Sequence, residues 1–90
     1  MEKHMIDKIE KCLENLNDKK IEIQQSGFIA TQFCINKLIY KIQNDIINLR
    51  DKENNIYISI NLNQAYQIEI GESKLKIYLD NDTEIRIEMI

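Results

Sequence analysis

From Ile56 to Ile90 the apolar side chains fall on every second residue: Ile56, Ile58, Ile60 and Leu62, then Ile68 and Ile70, then Leu75, Ile77 and Leu79, then Ile85, Ile87 and Met89. Successive side chains of a β-strand point to opposite faces, so this spacing gathers the apolar set on one face of a sheet. Whatever else the chain does, it has to cover that face. The breaks between runs are short, which predicts antiparallel strands joined by tight loops.

A cover is present at the other end. In residues 3–17, Met5, Ile6, Ile9, Cys12, Leu13 and Leu16 recur at three and four residues, while Lys3, Asp7, Lys8, Glu10, Lys11 and Glu14 occupy the opposite side. That is an amphipathic helix, with Asp7 and Lys11 as a favourable i, i+4 pair and Asn17-Asp18 as its break. Lys20–Gln25 then alternates through Ile21 and Ile23 and ends at Ser26-Gly27, a short strand and a turn.

Residues 28–50 can be read in two ways. Ile35, Ile39, Ile42, Ile46 and Leu49 fit a helical stripe, yet the segment has no Glu, one Ala and six Ile, a strand composition. A two-residue turn at Asn44-Asp45 sets Ile42 opposite Ile47 and Tyr40 opposite Leu49. A four-residue turn at Asp51 to Asn54 sets Leu49 opposite Ile56 and Ile47 opposite Ile58. Both hairpins match apolar with apolar, so strands are favoured. The alternative is a second helix within residues 28–50 and a four-stranded C-terminal sheet.

Facing requirements also fix a register for the last strands. A three-residue loop at Asn63 to Ala65 pairs Leu62 with Tyr66, Ile60 with Ile68 and Ile58 with Ile70. A two-residue turn at Gly71-Glu72 pairs Ile68 with Leu75 and Glu69 with Lys74. At Asp80 to Glu84 a three-residue loop would oppose Lys76 to Arg86, whereas a five-residue loop opposes Lys76 to Glu88 and Tyr78 to Arg86. The five-residue loop avoids the like charges and is preferred. The expected fold is therefore α+β, one domain over residues 1–90. An N-terminal amphipathic helix packs on a twisted antiparallel β-meander that curls toward a small barrel, and a homodimer would cover any apolar face left over.

Composition narrows the source and the partners. The chain has 19 Ile, 10 Asn and 10 Lys in 90 residues and no Val, Pro or Trp, as very AT-rich coding DNA produces. This points to an AT-rich bacterium, its phage or a mobile element, and it discounts Asn-rich patches as chemistry. No apolar run approaches the roughly 20 residues of a membrane span, and Met1 to Met5 lacks the apolar core of a secretion signal, so a cytoplasmic protein is expected. The net charge is −3, and residues 51–90 hold four basic against eight acidic side chains. A basic protein partner suits that balance better than nucleic acid, which usually calls for a clustered basic surface.

No arrangement of residues points to catalysis or to a cofactor. His4 sits in the first turn of the first helix, and Cys12 lies eight residues on, about 12 Å along the axis, so the two cannot meet within the helix. Cys12 and Cys34 lack CxxC spacing and are expected to be reduced thiols. Asp80, Asp82 and Glu84 alternate in a loop, but the Gly and the downstream bidentate Glu of a calcium loop are missing, and turn chemistry accounts for the Asx residues without a metal. The outward face carries Tyr57, Asn61, Lys76, Tyr78 and Arg86, a candidate partner-contact surface because exposed Tyr and Arg are typical anchors. The expected function is a small acidic non-enzymatic protein that acts by protein–protein interaction, an inhibitor or accessory factor. The alternative is a small-barrel RNA-binding module with Lys, Arg, Asn and Tyr on its rim.

Overall fold

The computed structural model describes residues 2–27, 30–79 and 82–90. Helix α1 (Lys3–Leu16) buries Ile9, Cys12, Leu13 and Leu16, the stripe expected from the three- and four-residue spacing. Asn17 and Asp18 end it. The N–H groups of Asn17 and Lys19 donate back to the Glu14 and Leu16 carbonyls, and Asp18 turns the chain at φ 61°, a left-handed conformation that Asp tolerates. Asp18 N–H then donates to the Leu38 carbonyl at 2.8 Å and Leu38 N–H to the Lys19 carbonyl at 3.2 Å, tying the helix exit to a strand twenty residues on.

The strands are β1 (Ile21–Ser26), β2 (Thr31–Ile35), β3 (Leu38–Gln43), β4 (Ile46–Asp51), β5 (Tyr57–Asn61), β6 (Ala65–Ile70), β7 (Lys74–Leu79) and β8 (Thr83–Met89). Residues 31–51 thus contain β2, β3 and β4, and the second helix considered for residues 28–50 does not form. Dense β-branched Ile, with no Glu, outweighs the helical stripe. The turn at Asn44-Asp45 is as expected: both residues have positive φ, 53° and 62°, the backbone a two-residue hairpin turn needs, and Ile42 pairs with Ile47 and Tyr40 with Leu49.

The molecule is one helix packed on two antiparallel sheets, an α+β arrangement. The five-stranded sheet has the order β2-β1-β8-β7-β6 and the three-stranded sheet the order β3-β4-β5. The single meander of the sequence reading is divided, and neither sheet closes into a barrel. The division falls at a 3₁₀ turn, Leu62–Gln64, between β5 and β6. Leu62 is buried there, its N–H donates to the Asp45 carbonyl at 2.8 Å, and Asn61 Oδ1 accepts from Asn63 N–H at 3.0 Å. The pairs expected across an Asn63 to Ala65 loop, Leu62 with Tyr66, Ile60 with Ile68 and Ile58 with Ile70, are therefore not made. One open ribbon would have shown more apolar face than one helix can cover. Dividing it turns Ile47, Leu49 and Ile60 of one sheet toward the same core as Ile23, Leu75, Ile77 and Ile87 of the other, with α1 contributing its four residues. Each fully buried Leu or Ile in that cluster is worth about 1.5–3 kcal/mol.

Three further registers differ from the expected ones. Leu49 pairs with Ile58 and Ile47 with Ile60, a two-residue shift from Ile56 and Ile58, because Asp51 closes β4 and the chain needs a longer connection to go round it. Ile68 pairs with Ile77 and Glu69 with Lys76, and Gly71 N–H donates to the Lys74 carbonyl at 2.8 Å, so Glu72-Ser73 makes the turn in place of Gly71-Glu72. This register sets Ile70 against Leu75, where the expected one would have set it against Ser73. Leu79 pairs with Thr83, leaving three residues between them, of which Asp80 and Asn81 lie outside the described residues. The five-residue loop is thus overturned, and Lys76 does stand opposite Arg86. Opposed like charges on an exposed face cost about 0.2–1 kcal/mol. Glu69 on the far side of Lys76 and Glu88, 4.0 Å from Arg86, offset this.

Gly27 is the one glycine that the fold requires. Its φ is 149°, and a Cβ there would lie 3.1 Å from the Asp82 carbonyl oxygen, so β1 can end against the β7–β8 connection only with no side chain in the way.

Tyr40 reports on the contact between helix and sheet. It is half-buried on β3, and burial first, then the charges of Glu10 and Glu14 on α1, raise its pKa above the usual 10.0. A raised pKa in the folded state means stability that is complete below about pH 10 and lost as the pH rises through the folded value. Tyr40→Phe is expected to flatten the alkaline fall of the urea midpoint, and an unchanged pH profile would disprove the assignment.

Candidate functional site

The five candidate contact residues fall on two sheets. Tyr57 and Asn61 are on β5, on the outward face of the three-stranded sheet, while Lys76 and Tyr78 on β7 and Arg86 on β8 share the outward face of the five-stranded sheet. The core cluster lies on the inner side of both, so the two faces are separate surfaces.

The outward face of the five-stranded sheet is a grid of both charges. Glu22 of β1 stands opposite Glu88, Gln24 opposite Arg86, Lys76 opposite Glu69, and Tyr78 opposite Glu84 on one side and Gln67 on the other. Gln24 Nε2 donates to Glu22 Oε1 at 2.8 Å, Lys74 Nζ lies 3.8 Å from Glu88, and the Tyr78 hydroxyl donates to Glu69 Oε2 at 3.0 Å. Burial first, then the Glu69 hydrogen bond and the nearby carboxylates, raises the Tyr78 pKa. The ring of Tyr66 stands against Tyr78, centroids 6.3 Å apart and tilted by 42°, and Tyr66 is 64% exposed. Arg86 lies close to Glu88 alone, at 4.0 Å, and its Nε, shielded from solvent, meets no acceptor among the described residues.

The outward face of the three-stranded sheet differs in kind. Its rows across β3, β4 and β5 are Ile39, Arg50 and Tyr57, then Lys41, Asn48 and Ser59, then Gln43, Ile46 and Asn61. None of the nine is a carboxylate, in a chain with 15 of them. Tyr57 is 64% exposed, and its hydroxyl donates to Asn48 Oδ1 at 2.7 Å, so the ring leans across β4. Two more cations, Lys37 and Lys52, flank one end of this sheet on neighbouring loops, joined by a 2.8 Å hydrogen bond from Lys52 N–H to the Lys37 carbonyl.

Asp51, which sequence reasoning treated only as a loop residue, is the one buried charged side chain among the described residues, 3% exposed. Its carboxylate accepts from Asn36 N–H at 3.0 Å, Lys37 N–H at 3.3 Å, Glu53 N–H at 2.9 Å and Asn54 Nδ2 at 3.0 Å. Burial alone would raise its pKa, but these four donors outweigh it and hold the carboxyl well below the usual carboxylate range. It pins the corner at Asn36-Lys37, where the chain passes from one sheet to the other. The Glu53 contact is an ordinary Asx turn and was legible locally. The Asn54 contact is also local, three residues on, whereas those from Asn36 and Lys37 come from 15 and 14 positions away and left no local signal.

Between α1 and β6 lies an open cleft of about 620 Å³, lined by Met5, Lys8, Cys12, Ile68 and Ile70 among others. Burial raises the Cys12 thiol pKa despite a 3.6 Å contact from Sγ to the Lys74 carbonyl, which leaves the thiol protonated and a poor nucleophile. Cys34 is exposed and free, and His4 is exposed on the first turn of α1. Among the described residues no group of three or more His, Cys, Asp or Glu could hold a metal, and no helix is long and apolar enough to cross a membrane. No family model, curated protein or solved structure matches this chain.

Proposed function

We propose that this chain is a small acidic binding protein that acts without catalysis, in the cytoplasm of an AT-rich bacterium or through its phage or mobile element. It contacts another protein as an inhibitor or accessory factor. The observation that carries this reading is the cluster of Tyr78, Tyr66 and Arg86 on the five-stranded sheet. Tyr78 is positioned by Glu69, and the partly exposed Arg86 guanidinium meets Glu88 only at 4.0 Å. Tyr and Arg held on a rigid platform are the side chains that dominate binding energy at interfaces. A guanidinium with donors to spare gains most when a partner supplies a carboxylate or a carbonyl. Lys76 and the surrounding glutamates put both signs of charge on the face, so a partner has to match a pattern, which favours specificity over bulk attraction.

Immobilised chain exposed to a lysate of an AT-rich bacterium is expected to retain one protein in stoichiometric amount. Arg86→Ser and Tyr78→Ala are each expected to weaken that retention by tenfold or more, on the order of the loss at an interface anchor. Retention of nothing by the unaltered chain, or equal retention by both variants, would reject the reading.

A further inference from the structure

We propose that the outward face of the three-stranded sheet binds single-stranded nucleic acid. The observation behind this is independent of the Tyr78 surface on the other sheet, so either proposal can fail without the other.

Charge sets the class of ligand. The chain is acidic overall, and the outward face of its five-stranded sheet carries glutamates, yet β3, β4 and β5 present Lys41 and Arg50 with no carboxylate among their outward positions. Asp45 and Glu53 lie beyond the two ends of this grid, and Asp51, next to Arg50, is buried with its carboxylate held by four donors away from the outward face. Among the described residues neither Lys41 nor Arg50 is paired with a carboxylate, so both are available to a ligand. They are diagonal neighbours on adjacent strands, and Lys37 extends the positive charge past Arg50, whereas Lys52 beside it lies 3.9 Å from Asp18. An anionic ligand lying across the sheet meets cations along its length.

The aromatic ring separates nucleic acid from an acidic peptide. Tyr57 stands beside Arg50, 64% exposed, and its hydroxyl bond to Asn48 holds the ring across the strand instead of letting it sweep through solvent. A tethered exposed ring among cations on an open sheet is a platform on which a base can stack while its phosphate reaches Arg50 or Lys41. The amide of Asn61 adds donors and acceptors for a base edge. An acidic peptide would use the cations and leave the ring idle. A duplex, whose bases are already stacked, would do the same.

Fluorescence anisotropy of the full chain with a labelled oligouridine or mixed-sequence single-stranded DNA at low salt tests this. Binding is expected to weaken with salt at a slope of about −1.4 in log K against log salt, from two phosphate contacts. Tyr57→Ala should weaken it by about tenfold or more and Arg50→Glu should abolish it, whereas Lys8→Ala on α1 should leave it unchanged. Circular dichroism on each variant establishes that it is folded. Three results would overturn the proposal: no binding by the unaltered chain at low salt, equal binding by Tyr57→Ala, or binding of labelled oligoglutamate or duplex RNA as tight as that of the single strand.

Discussion

Asp51→Ala is expected to lower the thermal midpoint by roughly 10 °C or more, among the largest effects of any substitution of a polar residue in this chain. The carboxylate is buried and accepts four hydrogen bonds, and its removal leaves the N–H groups of Asn36, Lys37 and Glu53 without their acceptor at the corner between the two sheets. Unsatisfied buried donors cost more than the bonds themselves contribute. Asp51→Asn keeps the shape but presents an NH₂ where two acceptor oxygens are needed, so it should recover only part of the loss.

The pH dependence gives a second readout. The folded carboxyl titrates far below its usual 3.8, so its stabilisation is complete above the unfolded value and is lost as pH falls through the folded one. The urea midpoint of the unaltered chain should therefore decline steeply on acidification below about pH 4, and that of Asp51→Asn should decline less. Parallel acid profiles would show that Asp51 is not the linked group.

Leu13→Ala is expected to destabilise the protein by about 2–5 kcal/mol, the usual cost of a large-to-small change at a site that cannot collapse. Leu13 is fully buried, and it lies on the helix that contacts β3 of one sheet and β6 and β7 of the other. The resulting cavity sits where all three layers meet, so the helical circular dichroism signal and the tyrosine fluorescence should still be lost in one shared transition at a lower urea midpoint. Two separated transitions would mean that the sheets fold independently of the helix. That outcome would contradict a single core formed by Leu13, Leu16, Ile47, Leu49, Ile77 and Ile87.

Legibility of the surfaces followed the same lines as that of the fold. Tyr57, Asn61, Lys76, Tyr78 and Arg86 were identifiable as outward-facing because alternation assigns a face to every residue of a strand. Their distribution over two surfaces was not, since it depends on the chain leaving one sheet at Leu62–Gln64. Lys41 and Arg50 were hidden for a different reason. They sit in the segment whose apolar spacing also fits a helix, and until β3 and β4 are known to be strands nothing places them beside Tyr57.

What the amino-acid order determined by itself is local: helix α1 with its buried stripe, the type of nearly every strand, the turn at Asn44-Asp45, and which side chains point inward. These follow from periodicity and from turn preferences, which act over a few residues. Only the tertiary structure decided that β8 lies between β1 and β7, that β5 and β6 part into separate sheets, and that Lys76 faces Arg86. A register shift of two residues keeps every side chain on its own face, so alternation cannot distinguish such registers. The choice falls to contacts made at long range: apolar face covering apolar face, and four donors, two of them from the Asn36-Lys37 corner, converging on the carboxylate of Asp51.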